Sequence, residues 1–204
     1  MDARASSFSD YRRDLLASRA TIAIVAVNLA VFAVLLARPD LASLFLLDPT
    51  LDAVAAQPWT LLTVFFSHEI PVHLLLNMAL FLVFGVKLEQ VGGSLAVVAT
   101  YLITGLLGSL SILATAPSMW DGELIPGASA AVFGTVAAFA MLRPNDLVLR
   151  SKARVWPIVL FVVNLALALS SPLARVGAAG HAVGIVAGLA CGYVIRRVEE
   201  GRSA

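Results

Sequence analysis

Four polar side chains stand where an apolar chain makes them costly: His73, Asn77, Ser129 and His181. An ionisable or amide group inside an apolar helix needs a partner or a function, so each is a candidate for chemistry. The combination suits acyl transfer. His181, near neutrality, can take the Ser129 hydroxyl proton as general base and return it to a leaving amine. The tetrahedral intermediate needs donors for its oxyanion, and the Ser129 backbone N–H with the His73 and Asn77 side chains can supply them. No Asp or Glu lies inside the outer ends of the same apolar windows to orient His181, so the expectation is a Ser129–His181 dyad rather than a triad. Asp121 and Glu123 lie nearby, but in a connecting loop, where solvated acids need no catalytic role. Taken singly, the serine reads as a packing residue, the histidine as interfacial, and His73 with Asn77 as helix glue. Their agreement in depth across three helices favours the joint reading.

The elements that must position these groups follow from composition. Of 204 residues, 60% are hydrophobic and 13% charged, with mean hydropathy +0.92, which excludes an ordinary soluble domain. Charge-free windows recur at 20–37, 70–86, 90–117, 124–142, 155–174 and 176–195, each near or above the roughly 17 residues that cross a hydrocarbon core. Six spans are expected, forming a membrane domain over 20–197. A polar segment 1–19 precedes it, either a short amphipathic helix on the membrane surface or mobile, and a short tail 198–204 follows. The first window reads as a retained helix rather than a cleaved signal. Twelve of the 14 basic residues, from Arg4 and Arg12 to Arg143, Arg154 and Arg202, fall on the terminal side, against Arg38 and Arg175 opposite. By the positive-inside rule both termini are cytoplasmic. The net charge of +1 leaves no basic field for nucleic acid. The lone cysteine, Cys191, allows neither an internal disulfide nor a cysteine metal cluster.

With that topology the four polar residues share the outer part of the membrane. His73 and Asn77, four apart, project from one helix face. Ser129 opens the fourth span in Gly127-Ala128-Ser129-Ala130, and Pro117 and Pro126 bracket the loop before it. Gly180, Gly184 and Gly188 give the sixth span a smooth face, matched on the fourth by Ala130, Gly134 and Ala138. Close packing of those faces would bring Ser129 to His181. The first outer connection is long, about thirty residues, and its apolar stretches 41–47 and 53–68 read as helices lying in the interface with Trp59 at headgroup depth. Reading 53–68 as a seventh span would set the basic amino-terminal tail opposite the basic loop 143–154, against the charge bias. The second span is expected to start at Ile70 or Pro71.

At these residues the chain resembles the rhomboid family of intramembrane serine proteases. His73-Leu-Leu-Leu-Asn77 is similar to the family's H-x-x-x-N, Gly127-Ala128-Ser129 to its G-x-S, and His181-Ala-Val-Gly184 with Gly188 to its H-x-x-G-x-x-x-G; Gly85 and Glu89 resemble its G-x-x-x-E. The resemblance implies an all-α, six-transmembrane-helix bundle with a membrane-embedded first outer loop. It also implies cleavage of transmembrane protein substrates near the outer membrane face, admitted by a mobile fifth helix. Partners are then membrane lipid and the substrates; no cofactor, metal or nucleic acid is expected, and the setting is a prokaryotic plasma membrane. Three departures stand out: Ala130 where the family usually has glycine, Phe133 where many members have a tyrosine stacked on the histidine, and no Trp-Arg pair of the kind many bacterial members have in the first outer loop. Ala130 is the feature that favours the alternative, a non-proteolytic relative that binds membrane clients. A small transporter would want polar residues at the bilayer midplane and repeated halves, and neither is apparent.

Overall fold

The computed structural model describes residues 8–116, 122–170 and 172–202; Arg4, Pro117 and Asp121, named above, lie outside the described residues. Within the polar segment, helix α1 runs over Phe8–Ala17. Ser18 separates it from α2, Arg19–Ala37, and Gln90 joins the two by donating to the Asp14 carbonyl at 3.1 Å and the Ser18 hydroxyl at 3.0 Å. α2 buries one stripe, Thr21, Ile24, Asn28 and Leu35, at helical spacing. Its other faces are open, as suits a helix against lipid.

Helix α6, Pro71–Thr115, begins with proline in its first turn, as expected, and runs for 45 residues. The charged Lys87–Glu89 region marks the expected division between two spans, but the backbone breaks at Gly93 (φ 81°, ψ 170°). Charged groups need not end a helix when they are partnered, and the Glu89 carboxylate accepts from Ala20 N at 3.0 Å, Thr21 N at 2.8 Å, and the Thr21 and Ser94 hydroxyls at 2.7 Å each. Only glycine adopts the Gly93 conformation cheaply. Each half of α6 is about 33 Å long at 1.5 Å per residue, close to the thickness of a hydrocarbon core.

Helix α7, Ser129–Leu142, is the centre of the bundle, with residues buried on all sides. Around it stand both halves of α6, with Phe84 against Phe139 and Thr104 against Gly134, then α8, Val155–Ala168, and α9, Pro172–Arg202. Between α7 and α8 a small hairpin interrupts the helical pattern: β1, Leu147–Val148, pairs antiparallel with β2, Ser151–Lys152, through a turn at Leu149 and Arg150 that both hold positive φ. The fifth apolar window was expected to run to 174; instead α8 stops at Ala168 and Pro172 opens α9, which extends past the expected 195 to Arg202. Proline constrains the residue before it away from helix, so it marks a start rather than an interior position.

Among the described residues three helices are long and apolar enough to cross a membrane, Arg19–Ala37, Pro71–Thr115 and Ala174–Gly201, and Ser129–Leu142 and Val155–Ala168 are shorter apolar helices. Without a hydrophobic force between helices in lipid, tight packing must hold such a bundle together. The small faces supply it. A Cβ added at Gly184, Gly188 or Gly192 on α9 would run into the backbone carbonyl of Ala130, Gly134 or Ala138 on α7.

The long first connection is built of short pieces: a 3₁₀ turn at Pro39–Leu41, α3 at Ala42–Phe45, α4 at Leu51–Ala56, α5 at Thr60–Thr63 and a second 3₁₀ turn at Val64–Phe66. No one of these is long enough to cross a membrane. Leu47 and Ile125 exchange backbone hydrogen bonds at 3.0 and 2.9 Å, tying this connection to the loop that leads into α7. From below, the Tyr101 hydroxyl donates to the Phe65 carbonyl at 2.6 Å and accepts from Asn28 at 3.1 Å.

Candidate active site

The site is assembled where α7 begins. Gly127 holds φ 133°, a conformation that residues with a Cβ rarely adopt, and Ala128 caps the helix so that Ser129 is its first residue. As a first-turn residue Ser129 has a backbone N–H with no partner inside the helix. Across the Gly184 contact, α9 presents His181 to it, and Ser129 Oγ lies 2.5 Å from His181 Nε2. Phe133, one turn along α7 from the serine, sets its ring 4.8 Å from the His181 imidazole at 37°. Loss of the tyrosine hydroxyl has therefore not removed the ring contact.

His73 enters from the first turn of α6. Its imidazole packs over Gly127, where an added Cβ would come 2.9 Å from His73 Cε1. Together His73, Gly127, Ser129 and His181 line a cavity of about 220 Å³ whose remaining wall is largely apolar, with Ile112 and Leu167 among its residues. Asn77 is buried one turn further along α6 and is not among the residues lining that cavity. Its amide nitrogen lies 3.0 Å from the His73 carbonyl and 3.3 Å from His68 Nε2. The structure thus brings Ser129, His181 and His73 around one space and holds Asn77 just behind His73. Among the described residues no group of three or more His, Cys, Asp or Glu side chains is arranged to hold a metal ion.

Two site residues escaped the sequence reading. His68, fully buried just before α6, stacks edge-on against His73 at 5.1 Å between ring centres and holds the Asn77 amide. Burial, then the neighbouring His73, push its imidazole down to about 3, so it is neutral at physiological pH. Asn164 on α8 places Oδ1 2.8 Å from His181 Nδ1 and donates from Nδ2 to the Ala178 carbonyl at 2.9 Å. The signal for Asn164 was present. It is an amide in an apolar window, the same criterion that selected Asn77, and it also applies to Asn28 in the first window.

A helical membrane bundle whose central helix aims a serine at a histidine across a glycine-lined contact is the class of protein this fold and site define. The chain belongs to the rhomboid family: residues 55–198 match the family model described as the Rhomboid domain. RHOMBOID-like protein 2 of Arabidopsis thaliana is 36% identical over 141 residues, covering 68% of this chain and 43% of the relative. Two further relatives from that plant, RHOMBOID-like protein 6, mitochondrial, and RHOMBOID-like protein 5, are 31% and 33% identical over 141 residues, with 68% and 67% of this chain and 44% of each relative covered. The chain spans less than half the length of these relatives.

Proposed function

We propose that the protein is an intramembrane serine endopeptidase that cleaves transmembrane protein substrates near the outer membrane face. The observation that carries this reading is the 2.5 Å approach of Ser129 Oγ to His181 Nε2 beside a cavity that also holds His73. In the proposed reaction Ser129 Oγ attacks the scissile carbonyl carbon as its proton passes to His181 Nε2. Negative charge then develops on the carbonyl oxygen, and the Ser129 backbone N–H and the His73 ring, both at the cavity, are the donors proposed to meet it. Asn77 joins them by turning its amide away from the His68 and His73 partners it now has. His181 returns the proton to the leaving amine, and water, activated by the same nitrogen, releases the acyl group from Ser129.

The reading takes the two halves of α6 as the second and third of six spans, with α2, α7, α8 and α9 as the others and both termini cytoplasmic. A prokaryotic plasma membrane is its proposed setting. Substrates and lipid are its only proposed partners, with no cofactor. The test is incubation of the purified protein in liposomes with a panel of reporter transmembrane substrates, beside a Ser129→Ala control. Cleavage that depends on Ser129, and fluorophosphonate labelling of Ser129 that His181→Ala abolishes, are the expected results. Equal labelling of the His181 variant would sink the mechanism. Binding of the reporters without cleavage of any of them would favour a client-binding protein instead.

A further inference from the structure

We propose that Asn164 is a positioning residue for His181, so that the site works as a Ser129–His181–Asn164 relay with a neutral third member drawn from α8. The proposal rests on the protease reading above for its catalytic consequence, but its structural half stands alone.

What each atom is able to do fixes the orientation of the Asn164 amide. The Ala178 carbonyl can only accept, so the group of Asn164 that faces it at 2.9 Å must be the amide NH₂. That assignment leaves Oδ1, an acceptor only, facing His181 Nδ1 at 2.8 Å. A neutral imidazole has one donor and one acceptor nitrogen, and beside an acceptor the Nδ1 must be the one that carries the proton. Nε2 then has its lone pair free, and it is this nitrogen that lies 2.5 Å from Ser129 Oγ. The two bonds of one asparagine therefore select the tautomer in which His181 can act as a base. With the proton on Nε2 instead, the ring would offer a donor to the serine and could not remove its proton.

Placement supports a dedicated role. On α8 the buried residues are Pro157, Leu160 and Asn164, spaced three and four apart along one inward stripe, while Phe161, Val162, Val163 and Leu165 face outward. Asn164 is the polar member of that stripe. Helix glue would account for its bond to the Ala178 carbonyl, as amides commonly bridge membrane helices. It would not account for the second bond, to the histidine nitrogen opposite the serine.

The test uses protein labelled with nitrogen-15 at histidine, which is practical because the chain has 3 histidines, with His181→Ala assigning the resonance. Full-length native protein should show His181 protonated at Nδ1, and Asn164→Leu should move it toward the Nε2-protonated form that a free imidazole prefers. On a reporter substrate Asn164→Leu should lower kcat by about 10- to 100-fold with little change in KM, less than the roughly 10⁴-fold that follows when a charged orienting carboxylate is replaced in a soluble triad. Asn164→Asp, which as a neutral acid can make both bonds, should recover most of that loss. A purely structural asparagine would lower the melting temperature in both variants without this pattern of loss and rescue. An Nε2-protonated His181 in the native protein would overturn the proposal even if Asn164→Leu does not fold, and so would unchanged kcat in a folded Asn164→Leu. If native protein carries the Nδ1 proton yet cleaves and labels nothing, the protease reading fails while the positioning of His181 by Asn164 is upheld.

Discussion

Replacing Ala130 by glycine restores the residue usual in the family and so asks whether the native alanine impairs the site. A glycine beside a nucleophile is required for positive φ or for close backbone approach. Among the described residues positive φ occurs at Gly93, Gly122, Gly127, Leu149 and Arg150, and position 130 is the second residue of α7. Close approach is met from the other side. Gly108 on α6 leaves room for the Ala130 methyl, since a Cβ added at Gly108 would come 2.5 Å from it, and Gly184 on α9 receives the Ala130 carbonyl. Ala130→Gly should then cost stability, through about 0.8–1 kcal/mol of helix propensity, reduced in a first turn, and the packing contacts of one buried methyl. Together these come to about 1–2 kcal/mol. Turnover should change by less than about tenfold, which corresponds to roughly 1.4 kcal/mol in the barrier. The assay compares both proteins on one reporter in the same liposomes, with thermal unfolding followed in parallel so that lost protein is not counted as lost chemistry. An inert native protein that gains strong, Ser129-dependent cleavage on Ala130→Gly would refute the reasoning and point to a lapsed protease.

Asn77→Ala should lower kcat more than it weakens substrate binding, by up to the roughly 10²–10³ typical of one lost oxyanion donor and by less if His73 compensates; an unchanged kcat would remove Asn77 from the mechanism. Gly127→Ala forces a residue with a Cβ into φ 133°, at about 1–3 kcal/mol, and presses on the His73 ring. Activity per folded molecule should fall more than that of Ala130→Gly, as measured by the rate of fluorophosphonate labelling of Ser129. Glu89→Ala leaves the Ala20 and Thr21 backbone donors at the start of α2 without their acceptor and should destabilise the fold by about 2–4 kcal/mol. The surviving folded protein should keep native kcat, and a selective loss of kcat would show that the carboxylate does more than join α2 to α6.

The candidate site residues were legible because an apolar background exposes them. Ser129, His181, His73 and Asn77 were singled out by polarity and shared depth together, although Asn28 and Asn164 meet the same criterion of cost, and the spacing of Gly184 and Gly188 against Ala130 and Gly134 already implied which two helices meet. Pro71 marked a helix start for the same local reason. What the one-dimensional pattern could not resolve was partnership. Lys87 and Glu89 read as a boundary between spans, yet the helix passes through them because the Glu89 carboxylate finds four donors on α2 and at Ser94, and the break falls at Gly93. The absence of an acid near His181 suggested an unassisted pair, whereas folding brings an amide from α8 to the back of its ring. His68 looked like the end of an interfacial stretch and is instead buried against His73 and Asn77. Local composition and periodicity, being properties of neighbouring residues, were enough to determine an apolar helical chain with a few polar candidates near the ends of its apolar windows. Which nitrogen of His181 faces Ser129, and what holds the other, depends on atoms from three helices far apart in sequence, and only their packing decides it.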